Sequence, residues 1–277
     1  MPPRRNRIHE RLAGGGCAVG MNIQTASPEN VEIAGACGSD FVLIDAEHGS
    51  MQLDRIVEML RAADAIGTTA LVRVPDHTPS FIGRALDAGA MGVVVPNVSN
   101  ATQARRVVAA ARFASDGGDT PSRGACPSTR AAWHLTEQWS EFARWSDETT
   151  MVWVLIEKRC ALSEIDEIVK VPGLSAIVPG PFDLAQSMGL GGDLRHPELQ
   201  QALRRISAAA RAQGLDVVAP LLSSELPALE QETAFWREAG ASIFWAGSDR
   251  RLLAVAMRRR RAAVEQCIEP LRESDNE

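Results

Sequence analysis

Lysine is scarce in this chain of 277 residues, and its scarcity limits the chemistry that the protein can use. Only Lys158 and Lys170 occur, so 27 of the 29 basic residues are arginine. Schiff-base chemistry requires a lysine amine. Lys170 ends a predicted helix, where a cation interacts favourably with the helix dipole. Lys158 follows Glu157 at a strand end and is expected to point away from a site into which Glu157 points. Neither lysine fits a Schiff-base role.

The chain also lacks any paired-cysteine pattern. Its five cysteines are odd in number, scattered and without the CxxC spacing of zinc or redox motifs: Cys17, Cys37, Cys126, Cys160 and Cys267. This pattern indicates reduced thiols in a cytoplasmic protein and argues against both a disulfide framework and a zinc site.

Long apolar runs and an excess of positive charge are missing as well. No run approaches the roughly 18 apolar residues of a membrane span. The basic N-terminus has no apolar core behind it, so it is not typical of a secretory signal. A net charge of -6 and a pI of about 5.5 argue against nucleic-acid binding. We interpret the arginine run 258–261 as a solvated or subunit-contact face of a helix.

What is present is an alternation of short apolar runs and helical patterns, repeated eight times. Mostly unbroken apolar strands are typical of a parallel sheet covered on both faces. Eight units predict a single α/β domain, a (β/α)₈ TIM barrel over residues 1–277, with 1–14 as an N-terminal extension and 273–277 as a frayed tail. A doubly wound open sheet is the alternative, although no GxGxxG follows an early strand. The predicted strands are 17–22, 41–44, 69–74, 92–95, 151–156, 174–178, 215–219 and 242–246.

One segment, 114–150, interrupts this alternation and is predicted to be irregular. It is rich in Gly, Ser, Asp and Pro at first and then in Trp. Loops of this length usually form lids or mobile segments. We therefore expect Trp133 and Trp139 to help form a lid or a subunit contact, with ordinary hydrophobic packing as the alternative.

The stretch FVLIDAEHGS places three ionisable side chains at the end of a buried strand: Asp45, Glu47 and His48. Such groups are costly to place unless they are paired, bind a metal or take part in catalysis. The Asp45 carboxylate and the His48 imidazole form a candidate pair for general acid/base work. The alternative is a turn in which one of the acids caps the following helix.

Three more polar residues fall at or just after strand ends. Arg73 ends the third predicted strand, Glu157 follows the fifth and Asp183 follows the sixth. In a barrel, all of them lie on the C-terminal rim, where active sites form. The carboxylates of Glu157 and Asp183 suit a hard divalent ion such as Mg²⁺ or Mn²⁺, unless they are merely exposed acids or helix caps. Arg73 could hold a substrate carboxylate or an enolate oxygen, pair with an acid on the rim, or do both.

Several motifs, in order, resemble the HpcH/HpaI aldolase family, the metal-dependent (class II) pyruvate aldolases of the phosphoenolpyruvate/pyruvate barrel superfamily. They are IDAEHGSMQL, LVRVP, GVVVPNVSNATQA, the pair Arg123-Gly124, VLIEK and VPGPFDLAQSMGLGG. The resemblance covers residues 15–249. The combination of EHG with GPFDLAQSMG is its most specific part.

The resemblance implies a carbon–carbon lyase that joins or separates pyruvate and an aldehyde, with a 4-hydroxy-2-oxo acid as substrate. It implies a divalent metal, Mg²⁺ or Mn²⁺ with Co²⁺ as a further candidate, and a homo-oligomer of dimers, up to a hexamer, in which the last helix packs on a neighbouring subunit. By residue it implies Glu157 and Asp183 as metal ligands, Arg73 for the enolate, His48 with Asp45 for proton transfer, Glu47 for orienting metal-bound water, and Gly180, Phe182 and Arg123 for substrate binding.

Some positions depart from the family pattern. Leu155 stands where a glutamine is frequent, Lys158 where a threonine is frequent and Asn97 where a larger apolar residue is frequent, while residues 116–120 look like an insertion. These departures leave the aldehyde open, and we expect segment 114–150 and a neighbouring subunit to select it. Two alternatives also stay open: a related lyase or decarboxylase of the oxaloacetate type, and a barrel that serves as a non-catalytic subunit.

Overall fold

The protein folds as a closed barrel of eight parallel strands that follow one another in chain order. The computed structural model describes residues 4–113 and 123–274, with side chains through residue 268. The predicted (β/α)₈ barrel is confirmed, and the strand bounds move by a residue or two. Strands β1 to β8 are Ala18–Ile23, Phe41–Asp45, Thr69–Arg73, Gly92–Val95, Met151–Ile156, Ala176–Pro179, Asp216–Pro220 and Ile243–Ser248.

The described residues contain eleven helices, and most of them surround the barrel. Local sequence signals set several ends: Ser27 and Asn100 cap helices through their side chains, and Gly67 ends one in the left-handed conformation. Helices α1 to α11 are Arg7–Ala13, Pro28–Ala36, Leu53–Ile66, Pro79–Asp87, Ala101–Ala111, Trp139–Thr149, Arg159–Ile168, Pro181–Ser187, Pro197–Ala212, Leu226–Ala239 and Asp249–Ser274.

Two apolar layers hold the strands in place. The outer layer packs the outward strand faces against the helices. The inner layer fills the barrel itself, where the rings of Phe41 and Trp153 meet edge to face with centroids 5.7 Å apart. Since successive strand residues point to opposite faces, each strand is apolar on both sides, which explains its unbroken apolar sequence.

The N-terminal segment closes the lower end of the barrel, the end at which the strands begin. Asn6 caps α1 by accepting the backbone N–H groups of Ile8 and His9. Ile8 is fully buried and packs with the inner apolar layer. The predicted extension 1–14 therefore contains a helix that contributes to the core.

The described part of segment 114–150, residues 123–150, is more ordered than its composition suggested. It contains α6, which the prediction of an irregular segment missed. Trp139, Phe142 and Trp145 recur every three residues, and Trp139 and Phe142 both pack against Phe113. This helical spacing was the available signal. The insertion predicted at 116–120 lies outside the described residues.

The last helix, α11, leaves the barrel that it follows. None of residues 250–268 is buried, and Leu253 and Met257 are exposed by 52% and 62%. The helix extends to Ser274, and residues 275–277 lie outside the described residues, so the frayed tail predicted for 273–277 stays a prediction. Within the described ranges, no helix is both long and apolar enough to cross a membrane.

Candidate active site

The C-terminal ends of the strands surround a cavity of about 210 Å³. Since the strands are parallel, their ends bring polar side chains that are distant in sequence to one rim. The cavity is lined by Asn22, Gln24, Arg73, Leu155, Glu157, Gly180, Pro181, Phe182, Asp183, Pro220, Leu221, Leu222, Trp245, Gly247, Ser248 and Arg251. It thus brings together Arg73, Glu157, Gly180, Phe182 and Asp183 from the predicted site.

Asp45 and Arg73 form the central ion pair of this rim. They are register partners on β2 and β3. Arg73 Nε donates to Asp45 Oδ1 over 2.9 Å, and Arg73 Nη2 donates to Asp45 Oδ2. Both side chains are buried. A two-point contact of this kind fixes the plane of the guanidinium as well as its position.

The surroundings of Asp45 keep its carboxyl group ionised. Burial opposes ionisation, but the hydrogen bonds and charge of Arg73, the backbone N–H of His48 and the amide of Gln24 outweigh it and lower the pKa of Asp45 to about 2. Burial also opposes the charge of Arg73, yet Asp45 and the nearby glutamates raise the pKa of Arg73. The pair is therefore fully charged near neutral pH.

Two glutamates, Glu47 and Glu157, lie next to this pair, and fewer favourable contacts offset the cost of burying their charge. Burial raises the pKa of Glu47 to about 7, Arg73 offsets part of the rise, and Asp45 and Asp183 add to it. Burial likewise raises the pKa of Glu157 to about 7, against a hydrogen bond from the backbone N–H of Asn97. Burial is the main reason why ionisation of these two glutamates is costly, and the negative charge of neighbouring acids adds to the cost.

The expected pairing of His48 with Asp45 is not the one observed. Asp45 Oδ1 accepts the backbone N–H groups of Glu47 and His48, both at 3.1 Å. The imidazole of His48 is exposed on the rim instead, with Nε2 3.8 Å from Glu47 Oε2. The reason is that Arg73 and the turn after β2 already occupy the Asp45 carboxylate.

Glu157 is held from two sides. The backbone N–H of Asn97 donates to Glu157 Oε2 over 2.7 Å, and Asn97 adopts a positive φ of 58° to present it. Asparagine tolerates this left-handed conformation better than a large apolar residue does. On the other side lies Gly180, where an added Cβ would lie only 2.5 Å from Glu157 Cγ.

The turn after β6 places Asp183 in the first turn of α8, at the cavity edge. Asp183 therefore lies within this helix and is not its cap. The N–H of Gly180 is already used, because it donates to the carbonyl oxygen of Ile156 over 3.0 Å. With Pro181 lacking an N–H, the donors left in this turn belong to Phe182 and Asp183.

Arg123 lies at the other end of the barrel, away from the cavity of its own subunit, and its expected part in substrate binding stays a prediction. Its guanidinium is buried, donates to Asp87 Oδ1 and Ser146 Oγ over 3.0 Å each, and stacks on Phe113. The physical reason is chain direction: segment 114–150 follows helix α5 rather than a strand, so it begins at the lower end.

For the same reason, Trp133 and Trp139 do not form a lid over the cavity of their own subunit. Trp139 packs on Phe113 just beyond the end of α5, and Trp133 lies under the guanidinium of Arg4. Both rings are at the lower end, away from the cavity of their own subunit. The ordinary packing that was the alternative describes Trp139, whereas Trp133 is 40% exposed.

Among the cavity residues that the sequence analysis did not foresee, three contact the Asp45–Arg73 pair. Asn22 and Gln24 donate to Asp45 Oδ2 over 3.2 and 3.1 Å, and Trp245 lies beneath the Arg73 guanidinium at 5.2 Å. A signal was present, since Asn22 and Gln24 are two polar residues at i and i+2, one at the end of a strand and one just past it.

The donor chemistry of the rim fits a hard divalent ion. Carboxylate oxygens are the ligands that Mg²⁺ and Mn²⁺ prefer, and such ions often take only one or two protein carboxylates, with water and substrate supplying the rest. Glu47 Oε2 is buried and lacks a hydrogen bond, although it lies 3.2 Å from Arg73 Nη1. Among the described side chains, those of residues 4–113 and 123–268, no three acidic, His or Cys side chains converge to enclose an ion. Glu157 and Asp183 line the same cavity, and these two carboxylates fit an open site for such an ion.

A closed (β/α)₈ barrel with buried acids and a fixed arginine on its C-terminal rim defines a class, the barrel enzymes whose active site lies at the ends of the strands. Residues 18–254 match the family model described as HpcH/HpaI aldolase/citrate lyase. The chain belongs to this family.

Relatives of known name agree with this membership. The chain is 31% identical over 261 residues to a 2-keto-3-deoxy-L-rhamnonate aldolase of Escherichia coli, covering 93% of this chain and 92% of that one. The Klebsiella pneumoniae protein of the same name is 32% identical over the same shares.

Solved structures agree as well. A family member from Burkholderia cenocepacia superposes with a TM-score of 0.84 at 29% identity, over 94% of this chain and 100% of that one. The citrate synthase SbnG superposes with a TM-score of 0.83 at 27% identity, over 95% and 98%.

Proposed function

We propose that this protein is a divalent-metal-dependent aldolase that cleaves a 4-hydroxy-2-oxo acid into pyruvate and an aldehyde, or joins the two. The observation that carries the proposal is the Asp45–Arg73 pair set beside Glu157 and Asp183 in one cavity. Fixed positive charge next to metal-binding oxygens is what a 2-oxo acid needs as it becomes an enolate. The similarity to the named 2-keto-3-deoxy-L-rhamnonate aldolases favours a deoxy sugar acid among such substrates.

In this proposal Glu157 and Asp183 hold the ion, Mg²⁺ or Mn²⁺ with Co²⁺ as a further candidate. When bound, a divalent ion supplies Lewis acidity that makes the enolate accessible near neutral pH. The N–H groups of Phe182 and Asp183, in the turn opened by Gly180, bind the substrate carboxylate.

Arg73 stabilises negative charge on the oxygen of the developing enolate. Asp45 acts through Arg73, because it fixes the guanidinium and keeps it charged. His48 and Glu47 transfer the proton of the C4 hydroxyl, since the imidazole is exposed on the rim next to that carboxylate. As the C3–C4 bond breaks, the hydroxyl carbon becomes the aldehyde and the enolate is then protonated to pyruvate.

Assembly is part of the proposal. On β1, Val19 is 45% exposed and Met21 only half-buried, and Ile33 on the adjacent α2 is 59% exposed. Ala246 on the neighbouring β8 is also half-buried, whereas the outward apolar residues of β2 to β7 are buried. The helix that follows β8 would cover this groove, but α11 runs away from it. We propose that α11 of a second copy packs there, giving a homo-oligomer built from dimers. We also propose that residues 1–277 form one domain and that the protein is cytoplasmic.

The test is pyruvate release from a panel of 4-hydroxy-2-oxo acids and from oxaloacetate, with Mg²⁺ or Mn²⁺ and with EDTA. We expect a hydroxy-oxo acid to release pyruvate only when the metal is present. The Glu157→Gln substitution should abolish this release. Glu164→Gln, an exposed glutamate on α7, is the matched control. Release from oxaloacetate alone would replace the proposal with a decarboxylase. A protein that binds no metal and releases no pyruvate would be the non-catalytic barrel.

A further inference from the structure

Asn22 on β1 has a feature that the proposed chemistry leaves unexplained. Its side chain is 2% exposed and lines the cavity. Its amide nitrogen donates to Asp45 Oδ2 over 3.2 Å, whereas its amide oxygen, Oδ1, is buried and has no hydrogen-bond partner in the described part of the chain. An unpaired buried acceptor costs free energy unless something else satisfies it.

The orientation of this amide is set by its neighbour. Turning it over would place Oδ1 against the ionised Asp45 carboxylate, two acceptors facing each other. The nitrogen must therefore face Asp45, and the oxygen is the atom left over. Since the Asp45 carboxyl group is also held by Arg73 and Gln24, it does not rotate to relieve Asn22.

The backbone of β1 is shaped around this residue. The pairing of β1 with β8 shifts register between Gly20 and Asn22. Such bulges re-aim a side chain, and they are common beside active sites. Much of the surrounding wall is apolar, formed by Leu155, Pro220, Leu221 and Trp245. A polar acceptor in such a wall distinguishes a ligand that brings a donor from one that does not.

We propose that Asn22 determines specificity, with Oδ1 accepting a hydrogen bond from a hydroxyl group carried by the aldehyde half of the substrate. The inference rests on the proposed aldolase function and names the acceptor class, a hydroxyaldehyde rather than an unsubstituted aldehyde. Oδ1 can only accept, so the ligand group must be a donor, and a neutral hydroxyl suits a wall that is otherwise largely apolar.

The experiment measures kcat/KM for condensation of pyruvate with two matched pairs: glycolaldehyde against acetaldehyde, and lactaldehyde against propionaldehyde. The wild-type protein is expected to prefer the hydroxylated member by at least about tenfold. Asn22→Leu is expected to bring both ratios to within about threefold of unity, mainly by slowing the hydroxylated aldehydes. Asn22→Ala gives the same reading should the leucine variant not fold.

Gln24→Leu is the matched control, because it removes the other amide donor to Asp45 Oδ2 but leaves Asn22 Oδ1 in place. It is expected to keep the wild-type ratios. Exchange of the pyruvate methyl protons in D₂O, followed by NMR, reports enolate formation without any aldehyde. Two results overturn this inference alone, provided that the wild-type protein exchanges the methyl protons normally. One is a kcat/KM ratio that the Asn22 variants leave unchanged, and the other is a wild-type protein that does not prefer the hydroxylated aldehydes. Absence of exchange in the wild-type protein overturns the proposed function and this inference with it.

Discussion

Asp45 and Arg73 stand opposite each other on adjacent parallel strands, and two hydrogen bonds join their side chains. Arg73 also places Nη1 3.2 Å from Glu47. The guanidinium therefore has a third contact besides its two hydrogen bonds. A lysine offers a point charge without this fork, so the site depends on arginine geometry as well as on charge.

Arg73→Lys is accordingly expected to lower kcat by about 10²-fold to 10³-fold, the usual loss for one preorganised oxyanion donor. Thermal unfolding should show that the variant is folded. Arg84→Lys on the exposed side of α4 is the control for the same exchange and should match the wild type. Retention of wild-type kcat within about threefold by Arg73→Lys would refute the role assigned to this residue.

Asp45 should make the protein sensitive to acid in a defined range. Its pKa is lowered to about 2 in the folded protein, from an ordinary value of 3.8. A lowered pKa means that the stabilisation is present above the unfolded value and is lost as the pH falls from about 4 toward 2. The shift corresponds to roughly 2 kcal/mol of free energy of unfolding.

Asp45→Asn removes this titration, so the stability difference between wild type and variant should shrink as the pH is lowered through that range. Urea unfolding at a series of pH values, with EDTA throughout, measures the difference. Above pH 5 the variant should be less stable, because the Arg73 guanidinium is left buried without its counter-charge. A difference that stays constant from pH 6 to pH 2 would show that Asp45 does not carry the effect.

Gly180 should be intolerant of even one methyl group. An added Cβ would lie 2.5 Å from Glu157 Cγ, closer than carbon atoms approach, so the carboxylate must move. Gly180→Ala is expected to weaken Mn²⁺ binding by at least about tenfold while leaving the fold intact. Calorimetric titration with Mn²⁺ measures this. Gly83→Ala, where no atom lies within 4 Å of the new Cβ, should bind Mn²⁺ like the wild type. Equal affinities in both variants would argue against Glu157 as a ligand.

Much of the fold could be predicted because it depends on local patterns. Apolar runs of strand length, the Ser27 and Asn100 caps and Gly67 all act within a few residues of themselves, and the structure follows them. The positions of Glu157 and Asp183 also followed, since parallel strands bring their ends to one rim. These features can be predicted from the spacing of apolar residues along the chain and from the order of its helices and strands.

The rest depends on contacts between distant segments. Nothing in the sequence around Asp45 indicates that its carboxylate binds Arg73. Nor does it indicate that the His48 imidazole lies exposed on the rim instead of pairing with Asp45. Arg123 occupied a motif position, yet its guanidinium is taken up by Asp87 and Ser146 at the lower end of the barrel. Asn22 joins the site only because β1 closes the barrel between β2 and β8.

Trp139 should matter for stability and not for catalysis. Its ring packs on Phe113 and Phe142 at the lower end of the barrel. Trp139→Ala is expected to lower the free energy of unfolding by about 2 to 3 kcal/mol, since the cluster is half-buried. Steady-state kinetics per folded enzyme should stay within about twofold of the wild type. A fall in kcat/KM without a change in assembly would restore the lid that the structure argues against.

The exposed face of α11 gives a prediction about assembly. Val19 on β1 and Leu253 on α11 are each about half exposed, yet both belong to surfaces that a barrel normally covers. If α11 of a second copy covers β1, then Val19→Asp and Leu253→Asp place a charge in the same buried interface from opposite sides. Each should shift the protein from dimer-based species to monomer in light scattering after gel filtration.

Leu135→Asp is the control, because Leu135 is 73% exposed at the lower end of the barrel, away from the groove beside β1. It should leave the dimer intact. A pair of charges tests the direct contact further: Val19→Asp combined with Leu253→Lys should recover part of the dimer if the two side chains meet. Dimers that survive both single substitutions would mean that α11 is exposed in solution, and the bare face of β1 would then need a different cover.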